Sequence, residues 1–256
     1  MWKTAWFRSL LTDTGWFPRK NCPLRTHGDG RRGTAGKQEK GCADSVTPIA
    51  PSKVALNVIP CTHSAGGKKT MEKITSGPMA FVSAMPVLLV GANVKGKPNY
   101  MTAAWAAPAS MVPPMACVAI NKARYTAQGI EENKTFSLNV PSVQQVIETD
   151  YCGLISGFQQ DKSLVFRTSY GILKTAPLAE ECPVNIECRL FETIDCGSHR
   201  LYIGEIAEIH FDRACLKDGK PDMTKIHPIL FSPFAYFSLG EKVGTAFSDG
   251  KKYRKK

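Results

Sequence analysis

From Met79 onward the chain runs as short apolar or alternating segments, each bounded by a turn signal, and this rhythm restricts it to a many-stranded β fold. Phe81–Val90 around Pro86, Tyr100–Ala106, Met115–Asn121 and Thr135–Val140 are rich in strand formers or alternate in polarity. Gly96-Lys97-Pro98-Asn99 predicts the turn between the first two. Ala127–Asn133 and Ser142–Tyr151 read as short helices, each entered through a hydroxyl residue of N-cap type, Thr126 in the first case. Val184–Asp195 and His199–Phe211 follow as two long strands joined into a hairpin by Cys196-Gly197-Ser198. Lys217-Asp218-Gly219-Lys220 makes a further turn, and Pro233–Leu239 a last aromatic strand. Many strands with few helices predict a mainly β (α+β) domain over 71–256. Closure into a barrel, or near closure, removes the exposed strand edges such a chain would otherwise carry.

Residues 1–70 have a different character. The stretch Gly28–Gly41 is rich in Gly, Arg and Lys, and Pro18, Pro23, Pro48, Pro51 and Pro60 break any periodic pattern. Trp2, Trp6, Phe7, Leu10 and Leu11 can share one helix face, but one too short to stand alone. The expectation is a disordered basic extension. Three origins stay open: a start codon placed upstream of a true start at Met71, a targeting peptide, or a disordered arm with its own role. The net charge of +11 sits at the ends. Residues 1–70 hold 12 basic and 4 acidic residues and the final eight hold 5 and 1, which leaves 16 basic against 17 acidic residues between. A neutral body disfavours nucleic-acid binding, although basic tails attract polyanions without sequence preference. The longest apolar run, Met79–Val90, contains Pro86 and falls short of the roughly 18 residues a membrane span needs. Nine cysteines without a CxxC pair or a zinc-type spacing argue for a reducing, cytoplasmic setting rather than a disulfide framework.

Two stretches carry chemistry. In Asn99-Tyr-Met-Thr-Ala-Ala-Trp105, with Ala106, Ala107 and Ala109 beyond, alanines are unusually dense for a strand. They let something flat approach the backbone, with Trp105 as a wall and Asn99 and Thr102 as hydrogen-bonding groups. Tight packing around a core tryptophan explains the same residues equally well. In Ile120-Asn-Lys-Ala-Arg-Tyr-Thr126 a strand runs into a helix start, where free N–H groups, the dipole, Lys122 and Arg124 favour a phosphate. A plain capping threonine is the competing reading.

Taken in order, NYMTAAW, the Pro113-Pro114 step, INKARYT, FSLNVP and SHRLYIGEIAEI (Ser198 to Ile209) resemble the flavin reductase-like family, flavoredoxins in particular. The match spans about Met79 to Leu239. The resemblance implies an FMN-binding split β-barrel with a few short helices and a homodimer with FMN at the subunit boundary. It further implies that Asn99 and Trp105 contact FMN and that Thr126 with Arg124 holds the phosphate. By the same resemblance Lys162 reaches the cofactor, His199 lies near the flavin, and Phe234 adds an aromatic ring from the C-terminal strand. A lysine at the N1/C2 edge of a flavin stabilises the charge that reduction places there. A solvated lysine after Asp161 and a structural hairpin histidine are the plainer readings of Lys162 and His199.

The function implied is an FMN-bound oxidoreductase that takes electrons from NADH or NADPH and delivers them to a flavin, metal or protein acceptor. No dinucleotide fingerprint is present, because Gly28–Gly36 follows no strand, so the nicotinamide would stack directly on the flavin. An electron carrier on the same fold, without NAD(P)H turnover, is the alternative.

Overall fold

A computed structural model describes residues 72–253. The basic extension of 1–70, its Trp2–Leu11 helix face and the Met71 boundary lie outside the described residues.

The body of the domain is a seven-stranded sheet. In chain order the elements begin with β1 (Met85–Pro86), β2 (Leu88–Val94), β3 (Lys97–Ala103), β4 (Ala106–Met111) and β5 (Pro114–Asn121). Next come α1 (Tyr125–Asn133), β6 (Thr135–Val140), α2 (Val146–Leu154), β7 (Thr168–Ser169), β8 (Leu178–Ala179), β9 (Val184–Cys196) and β10 (His199–Phe211). The chain then forms β11 (Leu216–Lys217), β12 (Lys220–Pro221), α3 (Met223–Ile226), β13 (Ile229–Ser232) and β14 (Ala235–Ser238). The large sheet has the order β3-β2-β6-β9-β10-β5-β4, and β1-β13-β14 form a separate small sheet. This mainly antiparallel, few-helix architecture is the split barrel expected from the sequence.

Alternation builds the core. β5 buries Ala116, Val118 and Ile120 on one face, and these meet Val90, Met101, Phe136, Leu138, Cys188 and Tyr202, with Ala127 and Ile130 supplied by α1. β2 is buried on both faces. Its Leu88, Val90 and Ala92 join this core, while Leu89 turns to a second cluster with Tyr100, Cys152, Phe166, Ala179 and Cys182. Helix α1 lies so close to β2 that a Cβ on Gly129 would stand 2.2 Å from the Asn93 carbonyl oxygen.

Several boundaries differ from those expected, each for a local reason. The turn between β2 and β3 is Lys95-Gly96, both at positive φ, so Pro98 falls inside β3. Proline is tolerated there because β3 is an edge strand. The segment expected as Phe81–Val90 is strand only from Met85, and Pro86 divides it: β1 pairs with β13, β2 with the main sheet. The strand expected through Ala106 ends at Ala103, and the chain re-enters the sheet as β4 beside β5. The last aromatic strand is confined to Ala235–Ser238, because Phe234 takes a positive φ at the turn from β13. The β9–β10 hairpin and the Ser142 helix entry, a full capping box with Gln145, are as expected.

Candidate functional site

Thr126 is not the N-cap of α1. Arg124 holds that position in extended conformation, without a side-chain cap, and Thr126 lies in the first helical turn. The reason is upstream: the Asn121 side chain accepts the Ala123 N–H at 3.0 Å and the Asn121 carbonyl accepts the Arg124 N–H at 2.9 Å, which closes the approach to the helix. Released from capping, the buried Thr126 hydroxyl accepts a hydrogen bond from the Asn99 side-chain amide at 2.7 Å. Filling that lone pair leaves the hydroxyl proton to donate elsewhere. The first turn of α1 has no acidic residue and no capping side chain, so it keeps the positive end of its dipole.

A narrow cleft with about 10 Å³ of free volume adjoins this helix start. Its walls include Thr102, Arg124, Thr126 and Lys162, with Tyr125 and Gly157. Lys162 is only 3 % exposed, and its Nζ donates to the Cys152 carbonyl at 3.0 Å. Among the described residues no carboxylate lies within ion-pair distance of it. Burial pushes the Lys162 amine below the ordinary lysine value; the Cys152 thiol opposes that fall and the Arg124 guanidinium adds to it. A buried ammonium without a carboxylate, beside an arginine and a hydroxyl donor, suits an anionic group such as a phosphate. The solvated-lysine reading is therefore excluded.

Trp105 and His199 form the second part of the site. Trp105 is half-buried, and its ring stacks on His199 with centroids 4.7 Å apart at 31°. Ser198 Oγ lies 2.8 Å from His199 Nδ1. Burial first, and the Arg124 charge second, hold His199 below the ordinary histidine value. Both effects favour the neutral imidazole, which stacks and hydrogen-bonds, over the cation. The Arg124 charge lowers the proton affinity of both His199 and Lys162, second to burial for the former.

Three of the expected residues have protein partners or positions of their own. Asn99 is buried, and its side-chain amide donates to the Thr126 hydroxyl. Thr102 lines the cleft, but its hydroxyl donates to the Thr149 carbonyl on α2. Phe234 is 78 % exposed at the β13–β14 turn, and no contact among the described residues brings it to the cleft. Sequence reasoning missed Tyr125 and Gly157. A Cβ on Gly157 would stand 2.3 Å from the Tyr125 ring and 2.7 Å from Asn99 Oδ1. Gly157 lies in an irregular loop after α2 with no motif of its own, and only its tertiary neighbours mark it. A larger cavity of about 530 Å³ carries Glu180, Glu181 and Asp212, and those acids make it a poor host for a phosphate.

The Asn99–Thr126 bond yields a direct test. Thr126→Val keeps the shape and removes the hydroxyl, which strands the Asn99 amide. Chemical denaturation is expected to show a loss of about 1–3 kcal/mol.

The family model described as "Flavin reductase like domain" matches residues 81–239. Among solved structures, flavoredoxin from Methanosarcina acetivorans is 43 % identical, with 71 % of this chain and 98 % of that chain covered and a TM-score of 0.69. Flavoredoxin of Desulfovibrio vulgaris (Miyazaki F) is 36 % identical, with 70 % and 100 % covered and a TM-score of 0.66. An uncharacterized protein of Archaeoglobus fulgidus is 37 % identical over 131 residues, 50 % of this chain and 72 % of that protein.

Proposed function

The chain belongs to the flavin reductase-like family, and from that membership we propose an FMN-binding oxidoreductase that accepts electrons from NADH or NADPH and passes them to a flavin, metal or protein acceptor. Flavin binding and a redox role come with the family. When bound, the flavin supplies the electron-transfer chemistry, and the protein supplies binding, orientation and charge. Thr126 and the α1 N-terminus donate to the phosphate, and Arg124 and Lys162 neutralise it. Trp105, braced by His199, forms a flat wall for the ring system.

The observation that supports this reading best is the buried Lys162 ammonium opening on a cleft with Arg124 and Thr126. An electron carrier without NAD(P)H turnover is the second reading, favoured by the similarity to two proteins named as flavoredoxins. The homodimer follows the family resemblance. It is supported by the exposed edge strand β4 and by Met111 at its end and Val112 in the turn that follows, each 90 % exposed. The six cysteines of the described residues are all free, which supports a reducing compartment such as the cytoplasm. Among the described residues no helix is long and apolar enough to cross a membrane.

Anaerobic titration of the FMN-loaded chain separates the two readings. Bleaching of the flavin absorbance by NADH or NADPH is the result expected of the oxidoreductase. Bleaching by dithionite alone would leave the carrier, and a protein that takes up no FMN would sink both.

A further inference from the structure

We propose that Glu187, Glu208 and His210, on the β9–β10 ladder, form a binding site for a divalent first-row cation. Strand geometry brings the triad together. Glu208 and His210 are two residues apart and so share a face of β10, while Glu187 stands directly opposite Glu208 on β9. A register shift between Ile206 and Glu208 sets this facing, and bulges of that kind commonly re-aim side chains at sites.

The distances already approach those of a coordinated ion. His210 Nε2 lies 2.8 Å from a Glu187 oxygen and 3.5 Å from a Glu208 oxygen, and the ligating atoms of all three residues fall within 4.8 Å of one another. An ion with ligands at about 2.1 Å separates neighbouring ligand atoms by roughly 3.0–3.4 Å. One imidazole and two carboxylates suit Mn²⁺, Fe²⁺ or Zn²⁺.

Charge makes the same point independently. Glu187 is fully buried and faces a second carboxylate across the ladder, an arrangement that is destabilising without a counter-charge. Among the described residues no lysine or arginine nitrogen lies within ion-pair distance of either carboxylate, and His210 is the single basic group in contact. The Glu187 carboxylate is also pre-oriented, accepting the Ile172 N–H at 3.1 Å on one oxygen and the Leu173 N–H at 2.6 Å on the other. Such supports behind a ligand are typical of metal sites. The ion takes the place of the direct hydrogen bond between His210 and Glu187. The half-exposed Glu208 opens the triad to solvent, and His210 also lines the 530 Å³ cavity.

The test uses the full-length, flavin-loaded chain, stripped with a chelator and titrated with Mn²⁺ alone, with free Mn²⁺ read by electron paramagnetic resonance. Mn²⁺ avoids the competition that the nine thiols would offer Zn²⁺. Binding of one ion per chain at sub-millimolar concentration is expected, with E208Q and H210Q each weakening it by at least about ten-fold and flavin content unchanged. No binding up to millimolar Mn²⁺, or equal binding by E208Q, would reduce the triad to a hydrogen-bonded clasp for the 171–173 loop. Glu208 is half-exposed, so E208Q decides the matter even should H210Q fold poorly.

Discussion

Lys162→Met is expected to weaken FMN binding by roughly ten- to a hundred-fold, the worth of one charge-assisted hydrogen bond. The same substitution is expected to leave the flavin-free protein as stable or more stable, because methionine fills the space without carrying a charge out of water. Equilibrium titration of flavin fluorescence measures the first effect and thermal unfolding of the apoprotein the second. A variant that loses stability and keeps its affinity would show Lys162 to be a structural strut. The pH dependence carries the sign opposite to that of a lysine held in a salt bridge, whose proton affinity folding raises. The folded-state value of Lys162 lies below the ordinary lysine value of 10.5, so between the two the unfolded chain binds more protons than the folded one. Stability contributed at this residue therefore rises with pH across that window, as the burial cost of the ammonium is relieved.

Gly157→Ala is the second large effect. The added methyl would stand 2.3 Å from the Tyr125 ring and 2.7 Å from Asn99 Oδ1. Neither neighbour retreats easily. Tyr125 is held edge-on by Phe158 at 4.8 Å, and Asn99 is buried on its bond to Thr126. Overpacking of this kind costs typically about 1–3 kcal/mol. Because the displaced groups include the residue that orients Thr126, FMN affinity is expected to fall along with stability. Denaturant unfolding and flavin titration on one preparation check both, and a variant with unchanged affinity would detach Asn99 from the site.

The strands were legible because period-two alternation and turn residues act locally. β5, β6, β9 and β10 lie where composition alone placed them. What sequence reading misjudged were points where a tertiary contact overrides a local signal. Pro98 suggested a turn, yet the edge position of β3 admits it. Thr126 suggested a cap, yet Asn99, remote in sequence, claims its hydroxyl. The burial of Lys162 was equally hidden, since nothing in Gln160-Asp-Lys-Ser163 distinguishes a solvated lysine from one folded under α2. Gly157 is visible only through what surrounds it.

Arg124 lowers the proton affinity of both Lys162 in the cleft and His199 outside its lining, in each case by less than burial does. An anion seated against its guanidinium would cancel the field felt by His199 and Lys162 together, and both would then hold their protons more tightly. Ligand capture is thereby linked to proton uptake from the medium. By reciprocity, protonation of either group tightens the grip on the anion.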